Sequence, residues 1–266
     1  QGEGEETFTR LVEACERGTE VCFSEIPGIV LRCSDDTVEV HRPAPLMKLD
    51  DIPFSYGDLS GLEHRIIYYE SSRGCPFSCA YCLSSIDKKL RFRSLDLVLP
   101  ELEWFLQAKV PQVKFVDRTF NCKKSHAMAI WQYIRDHDNG VTNFHFEIAA
   151  DLLDKDELDL LSTMRPGLVQ LEIGVQTTNP ELRCKMLHNR FAGQSLKLID
   201  RLYEAGTPMN GQIVLCKGVN DGEELKRSIE DLTKYIPCMQ SVSVVPVGLS
   251  KYRDGLYPLE PFTKED

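Results

Sequence analysis

The sequence predicts an α/β fold in which six parallel strands alternate with helices, preceded by a small helix-plus-hairpin appendage. Short apolar segments and helical segments alternate regularly from Arg65 onward, which is typical of a parallel sheet with crossover helices. Several helical segments carry capping residues, including Asp154 before Lys155 and Gly206 after Ala205. With 266 residues, 42% of them hydrophobic, the chain is long enough to bury a large core.

Each element of this fold is predicted from a local pattern. The strands are expected at Ile66–Glu70, Gln112–Asp117, Asn143–Ala149, Leu168–Val175, Asn210–Leu215 and Gln240–Pro246. The helices are expected at Asp96–Ala108, Ser125–His137, Asp154–Met164, Ser195–Ala205 and Gly222–Tyr235. The pattern alone leaves open whether the sheet closes on itself.

The first 60 residues have a different character. A helix is expected at Glu6–Arg17, and the segments Gly28–Arg32 and Thr37–His41 flank turn residues in the manner of a β-hairpin. We therefore predict an appendage and linker at residues 1–60, a barrel domain at 61–250 and a tail at 251–266. Because the Gly-rich opening leads straight into a helix, we expect sequence to be missing upstream, and the tail to lead to a further domain.

Composition and charge exclude several classes of protein. The net charge of −10 argues against broad binding to nucleic acid, and no apolar run approaches the ~18 residues that span a bilayer. The chain has ten cysteines but neither a secretory signal nor the small size of a disulfide scaffold. Reduced thiols that serve a metal fit better, and we expect a cytoplasmic protein.

The most informative motif is a cysteine-rich loop directly after the first predicted barrel strand. Cys75, Cys79 and Cys82 follow one another in C-x₃-C-x₂-C spacing, at the strand end where such folds build their active sites. Three thiolates can ligate three of the four irons of a [4Fe-4S] cluster. A structural zinc site would need a fourth donor such as Cys122. Three unrelated buried cysteines are the remaining alternative.

This motif, with its Arg-Gly-Cys-Pro lead-in and with Tyr81 before the last cysteine, resembles that of the radical S-adenosylmethionine (SAM) superfamily. The resemblance implies a partial (β/α)6 barrel. It also implies a [4Fe-4S] cluster whose open iron binds SAM, and reductive cleavage of SAM to an adenosyl radical. An external flavodoxin- or ferredoxin-like electron donor would supply the electron. The substrate stays unidentified.

The resemblance also implies roles for residues at the strand ends. Tyr81 would contact the adenine, Asp117 would accept a bond from the SAM amino group, and Arg118 would hold the SAM carboxylate or pair with a neighbouring acid. Glu147 would bind the SAM ribose or a substrate proton, or else form a structural ion pair, and Gln176 would bind the ribose hydroxyls. Backbone groups from Val214 to Cys216 would meet the adenine edge.

Residues from Glu70 to about Gln176 are similar to radical SAM proteins that carry a cobalamin-binding domain, whereas the last third resembles a different radical SAM group. The first 60 residues resemble the end of such a cobalamin domain, but the Asp-x-His-x-x-Gly motif that binds cobalamin in many of these proteins is absent. Cobalamin is therefore possible but not expected in this chain. Cobalamin-assisted methyl transfer and a non-catalytic iron–sulfur protein are the alternative functions.

Overall fold

The structure, a computed structural model, describes residues 3–16, 23–83, 88–189, 192–251 and 253–264. Its chain divides into two compact units, Gln1–Pro53 and Phe54–Asp266. The division falls several residues before the predicted boundary at residue 60. The reason is that Phe54, Tyr56 and Leu59 already pack against the core of the second unit.

The first unit contains helix α1 (Gly4–Glu16) and an antiparallel hairpin of strands β1 (Val30–Arg32) and β2 (Val38–Val40). Two hydrogen bonds fix the helix within this unit: Thr7 Oγ1 donates to the Pro27 carbonyl at 2.9 Å, and Glu3 Oε2 accepts from the Met47 amide at 2.7 Å. Arg17, the predicted last helical residue, lies outside the described residues.

The second unit is built on one parallel six-stranded sheet. Its elements follow in chain order: β3 (Ile67–Tyr69), β4 (Ser72–Arg73), β5 (Arg91–Phe92), α2 (Leu95–Gln107), β6 (Gln112–Phe115), α3 (Lys124–Asp136), β7 (Asn143–Ile148), α4 (Lys155–Ser162), β8 (Val169–Gly174), α5 (Pro180–Leu187), α6 (Ser195–Glu204), β9 (Met209–Leu215), α7 (Gly222–Leu232) and β10 (Met239–Pro246). The strand order β3-β6-β7-β8-β9-β10 confirms the predicted α/β architecture. Strands β4 and β5 form a separate small hairpin that the sequence did not predict.

The two faces of the sheet differ in chemistry because side chains alternate along each strand. The outer face buries apolar residues such as Phe115, Phe146 and Ile173 in one core with the helices. The inner face carries polar side chains, and neighbouring strands are linked across it, as where Gln112 Nε2 donates to Asn143 Oδ1 at 3.0 Å. This polar inner face leads to the site described below.

The helices begin and end where local capping dictates. Asp154 caps α4 by accepting from the amides of Asp156 and Glu157, while the Glu157 side chain returns a bond to the Asp154 amide. Helix α5 was not predicted, although Asn179 caps it and Pro180 occupies its first turn. Within the described ranges, no helix combines the length and apolar character needed to cross a membrane.

Candidate active site

A cavity of about 430 Å³ opens at the carboxyl ends of the parallel strands. Strand-end residues from four strands contribute to its wall: Glu147 of β7, Gly174 of β8, Val214 of β9 and Pro246 of β10. The loop that follows β3 closes another side with all three cysteines of the motif. The carboxyl ends of strands are where barrel enzymes place their active sites, so this cavity is the candidate site.

The cysteine loop has a defined backbone. Gly74 adopts a φ of +93°, and a Cβ there would lie 2.5 Å from the carbonyl oxygen of Lys89, so no other residue fits without displacing backbone. The Cys82 amide donates to the Cys79 carbonyl at 3.1 Å, which forms a tight turn between these two thiols. Cys75 Sγ lies 3.5 Å from the hydroxyl of Thr119, which follows β6.

The three thiols interact electrostatically. The pKa of Cys79 is raised to about 11, mainly by burial and also by the charges of Cys82 and Cys75, while a hydrogen bond with Tyr81 opposes the rise. Three adjacent thiolates therefore need a cationic partner, which the irons of a cluster provide. Among the described residues, no three His, Cys, Asp or Glu side chains already converge on a point where an ion would sit. The donor chemistry fits a cluster, and the case for it rests on the spacing and the shared cavity.

Cys122, the distant donor that a zinc site would require, lies after β6 and does not line the cavity. Its pKa is raised to about 11, first by burial and then by the charges of Asp117 and Cys75. The Cys122 thiol therefore lies close enough to Cys75 to interact with it electrostatically, but it does not line the cavity.

A charged network lies on the inner face of the sheet, with Glu172 at its centre. Glu172 Oε2 lies 3.1 Å from His145 Nε2 and accepts from Lys114 Nζ at 3.0 Å, while Glu172 Oε1 accepts from Gln212 Nε2 at 2.9 Å. The interactions with His145 and then Lys114 lower the pKa of Glu172 to about 2 against its burial. Glu172 is therefore an ionised carboxylate that its partners hold in place in the cavity lining.

Glu147 has fewer partners than Glu172, the residue opposite it on the next strand. Its carboxylate lies 3.7 Å from Lys114 Nζ, and 35% of the side chain is exposed. Burial and the neighbouring Glu172 charge raise the pKa of Glu147, whereas the charges of Lys114 and Arg118 oppose this. Both Glu147 and Arg118 line the cavity, so a carboxylate and a guanidinium are available to a ligand there.

Comparison with known proteins shows which family the chain resembles. The family model described as a radical SAM-like domain matches residues 123–242. An uncharacterized methyltransferase of Pyrococcus horikoshii is 32% identical over 142 residues, and the cobalamin-dependent radical SAM methyltransferase TokK of Streptomyces tokunonensis is 28% identical over 145 residues. These similarities support a radical SAM superfamily enzyme.

The matched region is only part of these relatives. It covers 49% of this chain and 30% of the Pyrococcus protein, and 48% of this chain and 21% of TokK. Solved structures show the same fold in other radical SAM proteins. The methyltransferase TsrM from Kitasatospora setae, with cobalamin and a [4Fe-4S] cluster bound, superposes with a TM-score of 0.70 and 16% identity over 92% of this chain and 50% of TsrM. The cobalamin-dependent enzyme OxsB, with aqua-cobalamin and SAM bound, superposes with a TM-score of 0.66 and 16% identity over 94% of this chain and 37% of OxsB.

The predicted SAM ligands differ in their positions. Tyr81, Arg118, Glu147 and Gln176 all line the cavity together with the cysteines. Asp117 does not. Its carboxylate is fully buried and accepts from the amide of Ser71 at 3.0 Å and from the hydroxyls of Ser71 and Ser72. Burial raises the pKa of Asp117 to about 6.

The reason for this placement is the alternation along β6. Asp117 continues the row of Val113 and Phe115, which packs against the helices, whereas Arg118 continues the row of Lys114 on the inner face of the sheet. The serines that Asp117 binds precede the cysteine loop, so its contacts are those of a residue that fixes the start of that loop.

Gln176 links two strand ends in the radical SAM fold. It adopts a φ of +64°, and its Oε1 accepts from the Val214 amide at 2.8 Å. The Val214 carbonyl and the Cys216 amide are both bonded to the side chain of Asn220, at 3.0 and 2.7 Å. These bonds engage the backbone groups of Val214 and Cys216 for which the sequence analysis expected an adenine partner.

Two charged residues, Arg183 at the cavity and Lys114 on the inner face of the sheet, were not predicted from the sequence. Arg183 of α5 is 2% exposed, lines the cavity beside Tyr81 and Cys79, and donates to the carbonyls of Ala192 (3.0 Å) and Val175. Lys114 pairs with two acids on neighbouring strands. The Asn179-Pro180 cap would have indicated α5, but the Lys114 pairing depends on strand register and has no signal in the sequence.

Proposed function

We propose that this chain binds a [4Fe-4S] cluster through Cys75, Cys79 and Cys82 and cleaves SAM reductively to start radical chemistry on a substrate in the same cavity. The observation that carries the proposal is the meeting of all three motif cysteines at one cavity on the carboxyl edge of the sheet. The radical SAM-like domain match supports the same conclusion.

The chain's own residues would divide the work of binding. The cluster, when bound, supplies the electron that breaks the carbon–sulfur bond of SAM. Arg118 offers a guanidinium to a carboxylate, and Glu147 accepts hydrogen bonds from hydroxyl or ammonium groups of a ligand. Glu172, held ionised by His145 and Lys114, keeps Lys114 beside Glu147 and so fixes that acceptor. Tyr81 and Phe77 contribute aromatic wall.

The test is the metal content and the response to SAM. The chain is reconstituted with iron and sulfide without oxygen, and iron, sulfide and zinc per chain are measured. We expect about four irons and four sulfides per chain. We also expect the electron paramagnetic resonance signal of the reduced cluster to change when SAM is added, because a cluster with three protein ligands leaves one iron open. A signal that is indifferent to SAM would favour an electron carrier, and stoichiometric zinc would favour a structural site.

A second candidate function, cobalamin-assisted methyl transfer, is favoured by the names of the relatives, since TokK is a cobalamin-dependent methyltransferase and TsrM was solved with cobalamin. A corrin ring needs a parallel sheet with helices on both faces to enclose it. The described part of the first unit contains one α-helix, two short 3₁₀ turns and a two-stranded hairpin, which do not fit that requirement.

We therefore predict that this chain does not retain cobalamin. The measurement is incubation with hydroxocobalamin, desalting, and the visible spectrum of the protein. Stoichiometric corrin absorbance after the column would make methyl transfer the leading function. Its absence would keep SAM cleavage followed by hydrogen abstraction as the proposed reaction.

A further inference from the structure

The segment that follows β10 contacts the cysteine loop. Val247, Leu249 and Leu259 pack in a small apolar cluster with Tyr81 and Met186, separate from the main core. The Val247 amide donates to the Leu215 carbonyl at 2.9 Å, so the segment leaves the sheet in a fixed direction. We call residues 247–251 and 253–259 the C-terminal strap.

Arg253 of the strap binds the backbone between two of the motif cysteines. Its Nη2 donates to the Ala80 carbonyl at 2.8 Å, and its Nη1 lies 3.4 Å from the Tyr81 carbonyl. The same Nη2 lies 3.2 Å from the Tyr257 carbonyl, which joins the guanidinium to the strap itself. One planar guanidinium thus engages both residues that separate Cys79 from Cys82.

The opposite side of this turn is held by helix α5. The Ala80 amide donates to the Met186 carbonyl at 2.8 Å, and Ala80 is buried. The turn therefore has its amide tied to α5 and its carbonyls tied to the strap. A loop held from two sides presents its thiols in one arrangement, whereas a loop held from one side can open.

We infer that Arg253 is a positioning residue for the cysteine loop, and that it adds a positive charge close to two of the cluster ligands. The positioning role does not depend on the proposed function, whereas the electrostatic role rests on it. Reduction potentials of iron–sulfur clusters depend on net charge and hydrogen bonding near the sulfurs. A guanidinium that is bonded to the loop backbone would favour the reduced, more negative state of the cluster.

The experiment uses the full chain with Arg253→Gln, Arg253→Lys and the control Arg201→Gln, an exposed arginine of α6. In the cluster-free chain, kept reduced, the alkylation rates of Cys79 and Cys82 are measured by mass spectrometry, with exposed Cys15 as the internal reference. Loss of charge-assisted bonds to two carbonyls should raise both rates in Arg253→Gln by about one to two orders of magnitude. Arg253→Lys should also react faster, because an ammonium lacks the fork that engages both carbonyls.

In the reconstituted chain, Arg253→Gln should shift the midpoint potential of the cluster to more negative values, whereas Arg253→Lys and Arg201→Gln should stay near wild type. Equal alkylation rates in wild type and Arg253→Gln would overturn the positioning role. A potential that is the same in wild type and Arg253→Gln would overturn the electrostatic role. A wild-type chain that takes up no cluster would refute the proposed function and the electrostatic role, while the alkylation rates would still decide the positioning role.

Discussion

The outer and inner faces of the six-stranded sheet share the same backbone but perform different tasks. On β7, Phe144 and Phe146 are fully buried against the helices, while His145 and Glu147 between and after them reach the polar network of the inner face. The outer face thus stabilises the fold through apolar burial, and the inner face supplies charged groups to the cavity. Substitutions on the outer face should therefore lower stability, whereas substitutions on the inner face should change binding in the cavity.

The largest expected effect is at the cysteine loop, where the inner face meets the cavity. Replacing Cys75, Cys79 or Cys82 with Ala should abolish the brown chromophore of the cluster, since a three-thiolate site has no spare ligand. Iron and sulfide per chain and the visible spectrum measure this. Cys15→Ser and Cys238→Ser should keep wild-type iron content. A single-cysteine variant with full cluster occupancy would refute the ligand assignment.

On the outer face, Phe146→Ala should lower the free energy of unfolding by about 3–5 kcal/mol, the usual cost of emptying a buried phenylalanine site. The Phe146 ring lies 4.2 Å from the Phe120 centroid and 4.5 Å from that of Phe115, so the space it leaves cannot close easily. Tyr68→Ala is the matched control, because Tyr68 is 53% exposed. Denaturant unfolding that gave equal losses for the two variants would contradict the division between the faces.

Asp117 should give the chain a distinctive pH dependence. Its pKa is raised by burial to about 6 from 3.8, so the folded state binds this proton more tightly than the unfolded state does. Protonation of Asp117 therefore stabilises the fold fully below about pH 4, and this contribution is lost as the pH rises through 6. Relative to Asp117→Asn, the wild type should gain up to about 3 kcal/mol of unfolding free energy between pH 7 and pH 4.

Unfolding curves of the two proteins at several pH values measure this difference. Glu172 contributes in the opposite direction, because its pKa is lowered to about 2 and its stabilisation disappears in acid. Since Glu172 is present in both proteins, it cancels in the comparison. If the difference in unfolding free energy between wild type and Asp117→Asn were constant across this pH range, the pKa of Asp117 would not be raised.

The smallest expected effect is on SAM affinity, and it distinguishes Glu147 from Asp117 as a SAM ligand. Glu147→Gln should weaken SAM binding by about tenfold, because it removes the charge from a cavity acceptor but keeps its shape. Asp117→Asn should leave the affinity of the cluster-loaded chain near wild type, since its carboxylate faces Ser71 and Ser72. Glu230→Gln, on an exposed position of α7, is the control for charge alone.

Titration calorimetry of the cluster-loaded proteins measures these affinities. The sequence-based assignment of Asp117 to the SAM amino group instead predicts that Asp117→Asn weakens SAM binding. That result would return Asp117 to the cavity and would mean that the loop rearranges when SAM binds.

Much of this division could be predicted from the sequence. The six strands and five of the helices follow from periodicity, and alternation with Phe144 and Phe146 already directs His145 and Glu147 inward. The same alternation, continued from Phe115, places Asp117 on the outer row, but a resemblance to other radical SAM strand ends outweighed it. Helix α5 was missed because it has only eight residues, of which Arg183 and Met186 are buried, too few for a clear apolar periodicity.

Other features depend on contacts between distant parts of the chain. The Lys114–Glu172 pair joins residues 58 positions apart, and Arg253 binds a carbonyl 173 positions earlier. Neither has a local pattern, since isolated charged residues are normally solvated. Register and loop packing bring these groups together, and only the folded structure contains that information.

We propose that the cysteine loop and the cavity at the strand ends together cleave SAM. The most direct measurement is the formation of 5′-deoxyadenosine when the reconstituted chain is given SAM and a strong reductant without oxygen. We predict 5′-deoxyadenosine from the wild-type chain and none from Cys79→Ala under the same conditions. A chain that carries a full [4Fe-4S] cluster and binds SAM, yet forms no 5′-deoxyadenosine, would contradict the claim.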